Sequence, residues 1–220
     1  MSDVAQRLDA ETKRFDLLEH PFYVAWSEGR LTRDDLSFYS QQYFRQVEAF
    51  PTWLSTLSGR IDLDEARSIV EENLADEVGD DHPGLWLAFA ESLGVDADAV
   101  RGAAVEDETA SCVGAFTDAA ENNSVPFALG MLYGYESQTP AVAATKIEGL
   151  KKHYGIEGPG VEYFELHGEL DIEHSSEMAR AIDSVCSGDA DLAEAATGAR
   201  AGAAAIWRLL DGVARVRQVA

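Results

Sequence analysis

Apolar positions recur every three to four residues through almost the whole chain, and no run alternates with the period of two that a half-buried strand requires. The pattern predicts an all-α protein. A first helix is expected over residues 3 to about 18, and a short one opens at Pro21, where proline suits a first turn. Thr32, with Asp34 and Asp35 behind it, predicts the capped start of a long helix reaching about Ser58 and bending at Pro51. Residues 62–78 read as amphipathic, with Gly79 expected to turn the chain, and Pro83 opens a helix that stops at Gly94. Further helices fit residues 106–121, 125–137, 140–154, 161–185 and 190–216. No internal repeat or low-complexity linker divides them. The expectation is one domain over residues 1–220, a bundle of about eight or nine helices.

Composition narrows the function classes. Asp and Glu number 40 against 17 Lys and Arg, a formal charge of −23. Such a surface cannot displace counterions from phosphate or adhere to anionic lipid, which argues against nucleic-acid and membrane partners. No apolar stretch approaches the ~20 residues of a membrane span, and no secretory signal is visible, so a cytoplasmic protein is expected. Cys112 and Cys186 lie far apart and outside any CxxC motif, which excludes a disulfide scaffold and a cysteine-held zinc. The acids punctuate every segment, and only four lysines occur. That distribution suggests adaptation to high salt, with a merely acidic mesophilic protein as the alternative.

The chemistry concentrates on residues 161–181. With about 100° per residue and Tyr163 as zero, His167, Asp171 and His174 fall near 40°, 80° and 20°. Glu162, Glu165, Glu169, Glu173 and Glu177 fall on the other side of the wheel. The histidines and Asp171 therefore share an arc with Leu170, Met178 and Phe164 and point toward the core. Ionisable groups there need a partner: a divalent metal suits two imidazoles and a carboxylate, and a hydrogen-bonded His/Asp pair is the alternative.

Two further fragments join them. From Asn122 to Tyr135 no side chain is charged, and this near-uniformly apolar helix, expected at the bundle centre, ends in Glu136. A carboxylate there is protonated or coordinates a cation if it is buried, and is free if it reaches solvent. In the fragment running from Asn73 to Pro83, Glu77 closes one helix and His82 precedes the next; alone it reads as an acidic loop. Together the fragments supply three histidines and three carboxylates, a mixture with which helical bundles hold two metals for dioxygen chemistry.

The run from Glu19-His20-Pro21-Phe22-Tyr23 onward, the segment Tyr135-Glu136-Ser137-Gln138-Thr139-Pro140 and the spacing His167-x3-Asp171-x2-His174 resemble the Chlamydia protein associating with death domains and its relatives. These are haem-oxygenase-like di-metal oxidases related to the TenA and PqqC proteins, and the resemblance covers nearly the whole chain. It implies metal ligands at Glu77, His82, Glu136, His167, Asp171 and His174, although the Glu77–His82 loop is shorter than the family pattern. It also implies a function, the oxygen-dependent formation of p-aminobenzoate for folate. In that chemistry Tyr23 would be the tyrosine cut from the protein itself, Lys146 the nitrogen donor, and Tyr135 and Tyr163 the tyrosines beside the metals. The implied cofactors are two transition-metal ions, Fe/Fe or Mn/Fe, with dioxygen and a reductant as co-substrates; a homodimer is expected. One chain can surrender its tyrosine once, so a single turnover follows.

On residue chemistry alone, each tyrosine could equally be core packing and Lys146 a surface lysine. Two other functions fit the sequence. One is a di-metal oxidase of the same fold acting on a separate small molecule; the other is a helical interaction module without catalysis. A thiaminase-like hydrolase would need a catalytic cysteine, and neither Cys112 nor Cys186 has an evident base beside it.

Overall fold

The computed structural model describes residues 3–219 and contains no strand among them. Eleven α-helices follow one another: α1 Asp3–Thr12, α2 Pro21–Ser27, α3 Arg33–Ser58, α4 Asp64–Gly79, α5 His82–Ser92, α6 Ala97–Gly102, α7 Asp107–Asn122, α8 Val125–Glu136, α9 Thr139–Gly149, α10 Glu162–Val185 and α11 Asp189–Arg217. Their apolar faces merge into one continuous core that includes Trp26, Trp86, Phe89, Phe116 and Phe164.

Local chemistry explains most boundaries. The Thr32 side chain accepts from the Asp35 amide while Asp35 reaches back to the Thr32 amide, so α3 starts in a reciprocal capping box. It then runs through Pro51 to Ser58. Four boundaries differ from the sequence expectation. The first helix stops at Thr12, because Asp16 takes an extended backbone and its side chain accepts from the Leu18 amide, giving two short 3₁₀ turns instead. Asp96 caps α6 through the Ala99 amide at 2.8 Å; only Val100 of that helix is buried, too little for a visible period. The helix expected over residues 140–154 loosens after Gly149 into a π turn, Leu150–Tyr154. Finally, Gly79 does not turn the chain. The turn falls on Asp81, which adopts the left-handed conformation (φ 50°) and accepts from the Gly84 amide, so that His82 is the first residue of α5. That compact turn is what fits a short loop between Glu77 and His82.

The centre of the bundle is α8, buried continuously from Ala128 to Glu136. Its neighbour α11 approaches through a seam of small residues. A Cβ on Gly130 or Gly134 would stand 2.0 or 2.1 Å from the carbonyl oxygens of Ala195 and Ala199. Reciprocally, a Cβ on Gly198 or Gly202 would stand 2.0 or 2.2 Å from those of Phe127 and Met131. These obstacles are backbone atoms and cannot swing away, so alanine at any of the four would force the helices apart. Helix α8 also packs on α10, which in turn packs on α4, α5 and α9. The three other elements that carry the acids and histidines, α4, α5 and α8, are thereby gathered around α10.

Candidate metal centre

The buried face of α10 presents Tyr163, His167, Asp171 and His174, while Glu162, Glu165, Glu169 and Glu173 stand exposed, as the wheel predicts. Glu77 from the last turn of α4, His82 from the first turn of α5 and Glu136 from the end of α8 converge on that face. All six side chains are buried, Glu136 to 1% exposure. They form two triads, Glu77–His82–His167 and Glu136–Asp171–His174, and within each the ligand atoms lie within 4.8 Å of one another. The open alternatives for these residues are thereby resolved: Glu136 does not reach solvent, and Glu77 and His82 do not belong to an acidic surface loop.

Their donor atoms suit metal ions. His167 Nδ1–H donates to the Tyr163 carbonyl at 2.8 Å, which leaves the Nε2 lone pair free, 3.9 Å from Glu77 Oε1. His82 Nδ1 approaches Glu77 Oε2 to 2.6 Å without the alignment of a hydrogen bond, and neither ring nitrogen of His82 has a hydrogen-bond partner. Glu136 Oε2, Asp171 Oδ2 and His174 Nδ1 are likewise buried and unpartnered. Buried ligand atoms without hydrogen-bond partners, directed together in this way, suit cations. Imidazole with carboxylate is a donor set for iron or manganese among the first-row metals, and the residues fit a pair of such ions.

Electrostatics points the same way. Burial, then the neighbouring Asp171 carboxylate, pushes Glu136 up to about 8. Burial lifts Asp171 to about 6 against the pull of His174. Burial also lowers His167 to about 3, with His82 adding to the effect. For His174 burial acts downward, but its contacts with Asp171, Glu136 and Asp76 prevail and hold it near 9. Without ions, then, Glu136 and His174 keep protons near neutrality that metals would displace.

Beside the triads lies a second buried polar feature. Lys146 is 5% exposed, which excludes a surface lysine. Its ammonium nitrogen sits 4.9 Å from the Tyr23 ring centre, 5.3 Å from that of Tyr39, and 5.1 Å from those of Tyr43 and Phe164. Lys146 Nζ donates to the Tyr39 hydroxyl at 2.8 Å, and that hydroxyl lies 3.1 Å from the Tyr23 hydroxyl. Burial pulls the amine down from 10.5 to about 7. Trp26 fixes the site from behind: its indole N–H donates to the Lys146 carbonyl at 3.2 Å and packs where a Cβ on Gly149 would stand, 2.6 Å from the ring.

A narrow cavity joins the two features. Lys146, Tyr43, Tyr135, Tyr163 and His167 line it, with Leu17 and Val142 among its apolar walls, and it has room for little more than a water-sized molecule. Tyr163 stacks on His167 with ring centres 4.1 Å apart. Tyr135, Tyr163 and Lys146 thus meet at one chamber; Tyr23 does not line it but lies against Lys146.

Sequence reasoning overlooked Tyr39 and Tyr43. Their spacing, with Gln42 and Gln46 on the same buried side of α3, was a signal, since polar heads on an apolar stripe need partners. It also overlooked Asn73 and Asp76 on α4. Asn73 Nδ2 donates to Glu136 Oε1 at 2.6 Å, and His174 Nε2 lies 3.1 Å from Asp76 Oδ2.

Comparison with known proteins agrees with this architecture. A family described as iron-containing redox enzymes matches residues 37–207. A 4-aminobenzoate synthase of Nitrosomonas europaea is 38% identical over 94% of this chain and 89% of its own. Another, from Chlamydia muridarum, is 35% identical over 84% of this chain and 80% of its own. The crystal structure of a TenA homologue from Pseudomonas syringae superposes with a TM-score of 0.83 at 14% identity, over 96% of this chain and 91% of that one. On a haem-oxygenase-like helical fold with two candidate metal sites, those matches are decisive: the chain belongs to the iron-containing redox enzymes, in the CADD-like 4-aminobenzoate synthase family.

Proposed function

We propose that this protein is an oxygen-dependent di-metal oxygenase that forms p-aminobenzoate from its own Tyr23 side chain, with Lys146 as the nitrogen donor. The observation that carries the reading is the placement of Lys146: an amine without a carboxylate partner, 4.9 Å from the Tyr23 ring centre, at a chamber that His167 also lines. Names of relatives at 35–38% identity support the product. Two ions, Fe/Fe or Mn/Fe, held by Glu77, His82, His167 and by Glu136, Asp171, His174, would supply reductive activation of dioxygen.

The chain's own groups do the rest. Aromatic walls keep water from the amine, and burial favours its neutral form, so a nitrogen lone pair is available near neutral pH. Tyr39 holds Lys146 Nζ and the Tyr23 hydroxyl through its own oxygen and can pass a proton between them. Tyr135 and Tyr163 line the space between that amine and His167, so electrons or protons moving between the two features have aromatic hydroxyls along the way. The narrowness of the chamber favours a substrate that is already part of the chain over a bulky one entering from outside.

The test is intact-mass measurement with product analysis, before and after the reduced, metal-loaded protein meets dioxygen. Loss of mass mapped to Tyr23, together with p-aminobenzoate at no more than one per chain, is expected; Tyr23→Phe should abolish both. Unchanged mass, with an added small molecule turned over by Tyr23→Phe, would replace this reading with that of an ordinary oxidase.

A further inference from the structure

Helix α4 supplies one ligand, Glu77, to the first triad. Its neighbours on the same face reach the second. Asn73, Asp76 and Glu77 stand at i, i+3 and i+4, so their side chains project to one side of the helix, toward α10 and the end of α8. Asn73 is buried and gives its amide N–H to Glu136 Oε1 at 2.6 Å. Asp76, half-exposed, places Oδ2 3.1 Å from His174 Nε2.

Each contact engages one of two possible ligand atoms and leaves the other facing the triad. Glu136 Oε1 is engaged by Asn73, and Oε2 is the buried oxygen without a partner. His174 Nε2 is engaged by Asp76, and Nδ1 is the buried nitrogen without a hydrogen bond, 3.5 Å from Asp171 Oδ1. We propose that Asn73 and Asp76 are positioning residues for the second metal: Asn73 fixes which oxygen of Glu136 ligates, and Asp76 fixes the His174 tautomer that presents Nδ1. The inference rests on the two-ion reading of the triads.

The residue types suit these tasks. A carboxylate at position 73 would repel Glu136 in a water-poor site, whereas an amide N–H neutralises one lone pair and leaves the charge of Glu136 for the ion. At position 76 a carboxylate makes imidazole a stronger donor by accepting its N–H, the arrangement common behind metal-bound histidines. Its half-exposure keeps that extra negative charge in water, where it is tolerated. Because both residues share a helix with Glu77, one element sets the first site directly and the second indirectly.

The experiment titrates the metal-free protein with Mn²⁺ in the absence of oxygen, reading stoichiometry by elemental analysis and affinities by chelator competition. Helix content by circular dichroism controls for folding. The natural sequence should take two ions. Asn73→Leu and Asp76→Ala should each weaken one of the two sites by about 10–100-fold and leave the other within a few-fold. The weakened site should be the one that Asp171→Asn also weakens. Asp76→Asn keeps an oxygen facing Nε2 and should recover most of the loss, an outcome that general destabilisation would not produce. Asp76→Ala is a change at a half-exposed position and keeps the test alive if Asn73→Leu fails to fold. Equal weakening of both sites, or none, overturns the proposal while leaving the two-ion reading intact. Fewer than two ions on the natural sequence overturns that reading first and this inference with it.

Discussion

The metal triads and the Lys146 chamber are adjacent, equally removed from water, and opposite in construction. In the triads six ionisable groups crowd together with unpartnered atoms turned inward, and burial followed by the Asp171 charge pushes Glu136 up. Around Lys146 a single amine stands among Tyr23, Trp26, Tyr39, Tyr43 and Phe164, and among the described residues its hydrogen-bond partner is the neutral Tyr39 hydroxyl. Desolvation penalises charge in both places. In the first the remedy is to bring counter-charge from outside as metal; in the second it is to give up the proton. A buried cluster that cannot neutralise itself is a binding site, whereas a buried single base that can is a nucleophile in waiting.

That contrast can be broken in graded steps. The largest effect is expected from removing the ions. A chelator should lower the thermal midpoint strongly, since each ion held at a thousandfold excess over its Kd stabilises the fold by about 4 kcal/mol. Metal uptake near pH 7 should also release protons, because Glu136 near 8 and His174 near 9 keep theirs in the metal-free state. Calorimetry in buffers of different ionisation enthalpy measures that release, and a midpoint indifferent to chelator would remove the distinction between the two regions.

Next in size is a permanent charge in the aromatic chamber. Lys146→Arg should destabilise by about 3–5 kcal/mol, because guanidinium cannot shed its proton and finds no carboxylate there. Lys146→Met, neutral and of similar length, should be at least as stable as the natural protein in urea denaturation near neutral pH, where the lysine bears the cost of losing its proton, while losing p-aminobenzoate formation. Equal stability of the two variants would contradict a chamber that rejects charge.

The pH dependence is a finer probe. With the folded amine near 7 and the unfolded one near 10.5, the unfolded chain binds more protons between those values. Stability in that window should therefore rise with pH, fully present above 10.5 and lost as pH falls toward 7, and Lys146→Met should flatten this component. Denaturation midpoints across that range for both proteins decide it. The smallest change is Tyr39→Phe, which removes the hydroxyl between Lys146 and Tyr23 and should cost about 1 kcal/mol. If its effect on product yield is no larger than on stability, Tyr39 is packing and not a proton link.

Much of this was legible in the chain. The arc of His167, Asp171 and His174 needed only the helical period, and the uncharged run before Glu136 marked a central helix. The contacts between helices were not legible, because periodicity assigns a face without naming what the face meets. Asn73 and Asp76 lie in a fragment that alone reads as an acidic loop, and only the approach of α4 to α10 and to the end of α8 gives them partners. Tyr39 and Tyr43 were hidden for another reason: aromatic residues on a buried stripe satisfy the pattern of a core, so their hydroxyls drew no notice. The break at Asp16 and the turn at Asp81 rest on single side-chain-to-amide bonds, which act below the resolution of any periodic signal.

The glycine seam between α8 and α11 has a consequence for how this centre tolerates change. Four Cβ-free contacts lock the azimuth of α8, so Glu136 arrives at the second triad by a route that contains no ligand. Random mutagenesis scored on activity would therefore flag Gly130, Gly134, Gly198 and Gly202 as though they were catalytic. Drift that retunes the ions is left to α4 and α10, whose sides can be redecorated without shifting the spine they lean on.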